Sequence, residues 1–144
     1  MVSQNNYFEF AENDYKFFKE TYEADMKRPA LAAMGQSICE RYLKHIINEY
    51  ANPENEFEHM KKESTLRTHS LHKLIRYIKD DMGIRISDDK KNTMQAIDGF
   101  YFTTRYPGED SFIANETDID DAWNAVVTAR NLTIALIHEM DKNI

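Results

Sequence analysis

Hydrophobic residues recur along most of the chain at intervals of three and four, the spacing that places them on one face of an α-helix. The first such segment runs from about residue 6 to 26, and its inward face holds Phe8, Ala11, Tyr15, Phe18 and Tyr22. The second runs from about Pro29 to Tyr50, and its stripe is Leu31, Met34, Ile38, Tyr42 and Ile46. Asn52-Pro53 ends the second helix, because a residue before proline is disfavoured in helical geometry.

The middle of the chain carries two shorter helical patterns. The third segment spans about residues 70–82 and is followed by Gly83, a residue type that favours the position after a helix. The fourth begins at Ser87, a good N-cap residue, and must end before Pro107. Residues 52–65 are polar and weakly patterned, which predicts a loop with at most a short helical turn.

The last segment runs from near Thr117 to Met140, and Thr117 with Asp120 resembles a capping box. A second apolar row on this helix predicts either deep burial or a dimer interface, and it consists of Trp123, Val127, Ile134 and Ile137. Five helices with short connections predict an all-α fold. We expect a single domain, residues 1–144, built as an antiparallel up-and-down bundle of four to five helices.

Composition narrows the class of protein further. Gly and Pro number only 4 and 3 in 144 residues, which favours long helices. Cys39 is the single cysteine, so a disulfide within the chain is excluded and a buried, inert thiol is expected. No apolar run approaches the roughly 18 residues of a membrane span, and no leader pattern opens the chain, so we expect a cytoplasmic protein.

Charge is unevenly distributed in a chain whose net charge is −7. This net charge does not steer the whole protein toward nucleic acid. Residues 61–79, however, hold six basic residues against Glu63, a net of +5, whereas residues 109–121 hold six acidic residues. The basic stretch is either a solvated helix face or a local phosphate site.

Three polar residues of the second predicted helix share one face, since Gln36, Glu40 and Lys44 are spaced by four. A glutamate four residues before a lysine forms a surface pair worth about 0.2–0.5 kcal/mol. Alternatively, the three residues form a polar strip that faces Arg105, with Glu40 fixing the guanidinium by a bidentate pair.

The stretch of residues 100–110 reads FYFTTRYPGED and places an arginine where a helix must stop. Pro107-Gly108 forces a turn, so Arg105 is expected at the rim of the bundle, where it would meet an anion. Tyr101, Phe102 and Tyr106 are either core residues or a platform on which a base stacks. Tyr106 is the best candidate for stacking because it follows the helix end.

Several elements together resemble the HEPN domain family: Gln36-x3-Glu40-x3-Lys44, then His72 with Leu71 and Leu74, then Arg105-Tyr106-Pro107. The resemblance extends over nearly the whole chain, from about residue 7 to 140. It implies a helical bundle, a homodimer, and a nucleotidyltransferase partner in a two-component, toxin–antitoxin-like system. It also implies binding of nucleotide or RNA, for which the candidate contacts are Arg105, Tyr106, Glu40 and Lys44.

Many members of that family are metal-independent ribonucleases, recognised by an arginine followed after four to six residues by a histidine. Arg67 and His72 have this spacing and are the candidate catalytic pair. Arg67 would stabilise charge on the reacting phosphate, and His72 would move the 2′-hydroxyl proton.

The position of this pair disagrees with the family pattern, in which the motif lies at the last helix, where Arg105 falls. The histidine positions after Arg105 are occupied by Asp110, Ser111 and Phe112. The sequence therefore favours a binding protein without an intact ribonuclease motif. The alternatives are a ribonuclease toxin that uses Arg67 and His72, and a dimeric scaffold.

His69 and His72 lie three residues apart, a spacing that suits a pair of metal ligands. No carboxylate or cysteine lies at a matching spacing beside them. We therefore expect neither a metal nor another cofactor.

Overall fold

The computed structural model describes residues 6–108 and 111–142. Its helices are α1 (Tyr7–Glu23), α2 (Ala30–Tyr50), α3 (Glu56–Leu66), α4 (Leu71–Arg76), α5 (Asp88–Gln95), α6 (Phe100–Thr103) and α7 (Glu116–Lys142). α4 continues directly into a π-helix, Tyr77–Asp81. The described residues contain no strand, which confirms the predicted all-α bundle. None of the helices in these residues has the length and apolar character needed to cross a membrane.

α2 is the central helix of the bundle. It packs against α1 and α7 and also contacts α3, α4 and α6. A β-carbon added at Gly35 would lie 2.9 Å from the Cβ of Ala122, so α2 and α7 approach closely through small residues. Cys39 of α2 is fully buried, and burial raises the pKa of its thiol, as expected for an inert cysteine.

α1 covers one end of the second apolar row on α7. Trp123 stacks against Tyr15, Phe18 and Tyr22 of α1, with ring centroids between 5.0 and 6.1 Å apart. The remaining members of the row, Val127, Ile134 and Ile137, are half-buried. Trp123 therefore packs within the bundle.

The predicted loop over residues 52–65 is wrong, because most of it forms α3. The side chain of Asn55 caps this helix by accepting a hydrogen bond from the backbone N–H of Glu58 at 2.8 Å. α3 buries only Leu66 among its own residues. Its sequence therefore lacks the hydrophobic residues at intervals of three and four that predict the other helices.

The predicted fourth helix is interrupted between α5 and α6. Gly99 has a φ of 91°, a left-handed conformation that other residues rarely adopt. Met94, Ile97 and Phe100 are nevertheless all buried. The sequence pattern missed this break, because the buried residues on its two sides still recur at intervals of three.

The start of α7 is capped differently from the prediction. The backbone N–H of Asp118 donates to Asn115 Oδ1, and the N–H of Asn115 donates to Asp118 Oδ2, each at 2.9 Å. This reciprocal pair replaces the capping box expected at Thr117 and Asp120, which is therefore wrong. Asp120 instead accepts a hydrogen bond from the Tyr22 hydroxyl and ties α7 to α1.

Candidate functional site

The side chain of Gln36 holds two distant parts of the chain together. It is 1% exposed, its Nε2 donates to the backbone oxygen of His69 at 2.8 Å, and its Oε1 accepts from the backbone N–H of Tyr101 at 2.7 Å. His69 lies between α3 and α4, and Tyr101 lies on α6. One side chain of α2 therefore positions both segments.

Glu40 and Lys44 are buried, each 8% exposed, so the predicted surface pair is wrong. Glu40 Oε2 lies 3.9 Å from Lys44 Nζ and 3.4 Å from His69 Nδ1. Burial raises the pKa of Glu40, although Lys44 and His69 oppose that shift, and burial lowers the pKa of Lys44. Burial therefore disfavours the charged form of both groups, and the attraction between them favours it.

Arg105 stacks on aromatic rings and does not form the bidentate pair with Glu40 that the sequence suggested. Its guanidinium carbon lies 4.7 Å from the ring centroid of Tyr101 and 5.8 Å from that of Tyr106. Both distances are in the range of cation–π contacts. Arg105 follows α6 and is exposed, so it lies at the rim of the bundle as predicted.

Five residues form one patch that we call the aromatic–arginine surface: His69, Tyr101, Phe102, Arg105 and Tyr106. The ring of His69 is nearly parallel to that of Tyr101, at an interplanar angle of 9° and a centroid distance of 6.4 Å. Phe102 and Tyr106 are 50% and 52% exposed, whereas the neighbouring Phe100 is buried. Of the aromatic residues in this stretch, Phe100 thus belongs to the core and the others to the rim.

A groove of about 460 Å³ adjoins this surface. Its lining includes Met34, Ser37 and Arg41 of α2, Asp14 of α1, and Tyr101 and Arg105. Arg41 is paired with Asp14, so Arg105 is the cation that this groove offers to a ligand. An aromatic ring, an arginine and a hydroxyl thus face one open space, beside a carboxylate that is already paired.

Arg67 and His72 have different neighbours. Arg67 lines a cleft together with Lys73 and Arg76, whereas His72 Nδ1 lies 2.9 Å from Nε2 of Gln95 on α5. Both side chains are exposed. Although Arg67 and His72 have the spacing of the ribonuclease motif, their side chains have no contact partner in common among the described residues.

The residues after Arg105 build a turn. Asp110 lies outside the described residues. Ser111 Oγ accepts a hydrogen bond from the N–H of Gly108 at 3.0 Å, and Phe112 packs edge-on against Phe100 with centroids 5.6 Å apart. Ser111 and Phe112 thus stabilise the turn that presents Arg105.

The sequence did not predict that His69 belongs to this site; its spacing from His72 suggested only a pair of metal ligands. His69-Ser70-Leu71 has the same His-x-Leu spacing as His72-Lys73-Leu74, and that repetition was the available signal. Across residues 6–108 and 111–142, no group of three or more His, Cys, Asp or Glu side chains is placed to hold a metal ion.

The fold and the site together describe a helical-bundle domain that presents an arginine on aromatic rings before a Pro-Gly turn. The sequence model of the HEPN domain family matches residues 59–137, more than half of the chain. The chain therefore belongs to the HEPN domain family. No curated protein and no solved structure matches it at a significant level.

The match begins in α3 and ends in α7, so it includes His69 and the stretch from Tyr101 to Tyr106. α1 and α2 precede the matched residues. Gln36 and Glu40 therefore lie outside the family match. They are assigned to the site because they contact His69 and Tyr101.

Proposed function

We propose that the chain binds a nucleotide or a segment of RNA at the aromatic–arginine surface. The observation that carries this proposal is the exposed guanidinium of Arg105 over the rings of Tyr101 and Tyr106. Half-exposed aromatic rings offer flat faces on which bases stack with little regard to sequence. The adjacent guanidinium offers a forked donor that matches phosphate.

Gln36, Glu40 and Lys44 support this surface from below in the proposal. Their burial leaves too little side chain exposed to meet a ligand directly. Gln36 fixes the backbone on which Tyr101 and His69 lie, and Glu40 contacts the His69 ring. A platform that is rigid before binding loses less entropy when the ligand arrives.

The test is binding of a fluorescein-labelled single-stranded RNA of about 12 nucleotides, a length that spans one such surface. Arg105→Ala and Tyr106→Ala should each weaken binding by about tenfold, because one stacked base contributes about 1–3 kcal/mol. Arg85→Ala, which removes an exposed arginine elsewhere, is the matched control. Unchanged affinity in both site variants would exclude this surface.

A second candidate function, docking of a protein partner, is favoured by α1. Phe10 and Phe17 are 52% and 56% exposed and lie seven residues apart, hence on one face of the helix. Exposed aromatic residues are enriched where protein interfaces form. The partner is a second copy of the chain or a nucleotidyltransferase.

Light scattering distinguishes these partners. A dimer that Phe10→Ser and Phe17→Ser together convert to a monomer supports self-association through α1. A wild-type chain that is monomeric would exclude a second copy of the chain as the partner of α1.

A further inference from the structure

A cluster of basic side chains lies apart from the aromatic–arginine surface, in the cleft between α3 and the helix formed by α4 and its π-helical extension. The cleft has a volume of about 510 Å³. Its basic side chains are Lys61, Arg67, Lys73 and Arg76. We call it the basic cleft.

Three of these cations form no ion pair among the described residues, although the carboxylate of Asp80 also lines the cleft. Lys61 Nζ pairs with Asp81 at 2.7 Å. Among the described residues, no carboxylate lies within 4.0 Å of the charged ends of Arg67, Lys73 and Arg76, all of which are exposed. The whole chain has a net charge of −7, whereas this cleft is locally positive because it contains three such cations.

Two of these cations also repel each other within α4. Lys73 and Arg76 lie three residues apart on one helix, so their like charges repel. The acids that line the cleft, Asp80 and Asp81, follow on the π-helix, and Asp81 is engaged by Lys61. An anion in the cleft would relieve the repulsion that the fold leaves in place.

Hydrogen bonds fix the backbone on both sides of the cleft's cations. Asp98 caps α4 by accepting hydrogen bonds from the N–H groups of Leu71 at 2.9 Å and His72 at 3.1 Å. On the other side of the cations, the N–H of Met82 donates to the oxygen of Tyr77 at 3.1 Å, closing the π-helical turn. π-helical turns inside helices occur frequently at functional sites.

The donors in the cleft match phosphate. Two guanidinium forks can each bind two oxygens of one phosphate group. The hydroxyls of Ser64 and Thr68 also line the cleft. Thr68 Oγ1 accepts a hydrogen bond from the N–H of Ser70 and keeps its own proton free to donate.

We propose that the basic cleft binds the phosphate groups of a ligand through Arg67, Lys73 and Arg76. The phosphates come from a nucleic-acid strand or from a free nucleoside triphosphate. Arg67 and Thr68 lie in the cleft while the next residue, His69, stacks on Tyr101. A strand with a base on the aromatic–arginine surface would therefore have neighbouring phosphates close to the cleft, although phosphate binding here does not require that base.

The experiment compares the wild type with Arg67→Gln/Lys73→Gln/Arg76→Gln and with a control, Lys19→Gln/Arg28→Gln/Lys90→Gln. The control removes the same charge from exposed residues elsewhere. Affinity for a fluorescein-labelled RNA of about 12 nucleotides is measured between about 50 and 200 mM salt. Circular dichroism verifies that both variants remain helical.

Each phosphate contact to a single strand contributes about 0.7 to the slope of log affinity against log salt. The cleft variant lacks three such contacts, so the magnitude of its slope should be smaller than that of the wild type by about 2. Between the lowest and the highest salt concentration, the affinity of the wild type should therefore fall about 20-fold more than the affinity of the variant. The control should keep the wild-type slope. Equal slopes in all three proteins would overturn the proposal, as would a wild type that binds neither RNA nor ATP.

Titration with ATP separates the two sources of phosphate. Weakened binding of ATP as well as RNA in the cleft variant assigns the site to free nucleotide phosphates, and weakened binding of RNA alone assigns it to a strand. If Arg105→Ala abolishes RNA binding while the cleft variant leaves it intact, this inference fails and the proposed function stands. If the cleft variant abolishes RNA binding while Arg105→Ala leaves it intact, the basic cleft is supported as a phosphate site and the proposed function fails.

Discussion

At the scale of single residues, the aromatic–arginine surface rests on side chains that hardly reach solvent. Gln36 uses both ends of its amide, one toward His69 and one toward Tyr101. Buried polar groups with satisfied partners fix a unique arrangement, whereas partly satisfied ones destabilise it. The buried side chain of Gln36 on α2 thus positions the backbone that carries the exposed rings of His69 and Tyr101.

Gln36→Leu keeps similar bulk but removes both hydrogen bonds. It should lower the free energy of unfolding by about 2 kcal/mol, because an unpaired buried backbone group costs about 1–3 kcal/mol. Urea unfolding followed by circular dichroism measures this change, and RNA affinity should fall in parallel. Glu49→Gln, at an exposed position of α2, is the control. A Gln36→Leu protein with wild-type stability would show that the bridge is dispensable.

Lys44→Met tests the buried ion pair. Without the ammonium group, Glu40 loses its lysine partner, and burial disfavours the charged form of its carboxylate. We expect a loss of about 3 kcal/mol in the free energy of unfolding. Adding Glu40→Gln should restore most of that loss, since the uncompensated charge is then absent. A double variant no more stable than Lys44→Met would contradict the interpretation.

At the scale of elements, one carboxylate joins the three longest helices. Glu12 of α1 accepts hydrogen bonds from the Tyr42 hydroxyl of α2 at 2.6 Å and from Arg130 Nε of α7 at 2.7 Å. Arg130 also lies over the ring of Tyr15, 4.4 Å from its centroid. This junction orients α1 against the α2–α7 pair and so positions the face that carries Phe10 and Phe17.

The Glu12 junction predicts a pH dependence. Burial alone would raise the pKa of Glu12, but hydrogen bonds from Arg130 and Tyr42 outweigh it, so the pKa in the folded state is lowered from 4.5. The stabilisation is therefore complete above the unfolded pKa and is lost as the pH falls through the folded value. Glu12→Gln should cost about 2 kcal/mol at pH 7 and less at pH 3.

Urea unfolding of the wild type and Glu12→Gln across this pH range measures the difference. Glu23→Gln, an exposed glutamate at the end of α1, serves as the control. A difference between wild type and Glu12→Gln that stays constant with pH would contradict the lowered pKa.

At the scale of the whole molecule, the long helices could be predicted because each buries a continuous stripe. α3 could not, because it buries only Leu66 and depends on the Asn55 cap. The turn that exposes Arg105 followed from Pro107-Gly108. The partner of Glu40 could not be predicted, since His69 and Arg105 lie on separate segments and only the packed bundle decides which one reaches it.

The folded molecule also relates the two proposed binding features. The short connection between α3 and α4 contributes Arg67 and Thr68 to the basic cleft and His69 to the aromatic–arginine surface. Gln36 holds this connection from the core. The core of the bundle therefore controls the relative placement of cations and aromatic rings.

The most direct measurement of the central claim is a titration of the chain with AMP followed by backbone amide chemical shifts, which a protein of 17.0 kDa permits. We predict that the largest shifts occur at His69 and at residues 101–106. Arg105→Ala should raise the AMP concentration needed for these shifts by about tenfold, whereas Arg85→Ala should leave it unchanged. Shifts confined to other parts of the bundle, or no shifts at saturating AMP, would contradict the claim that this surface binds nucleotide.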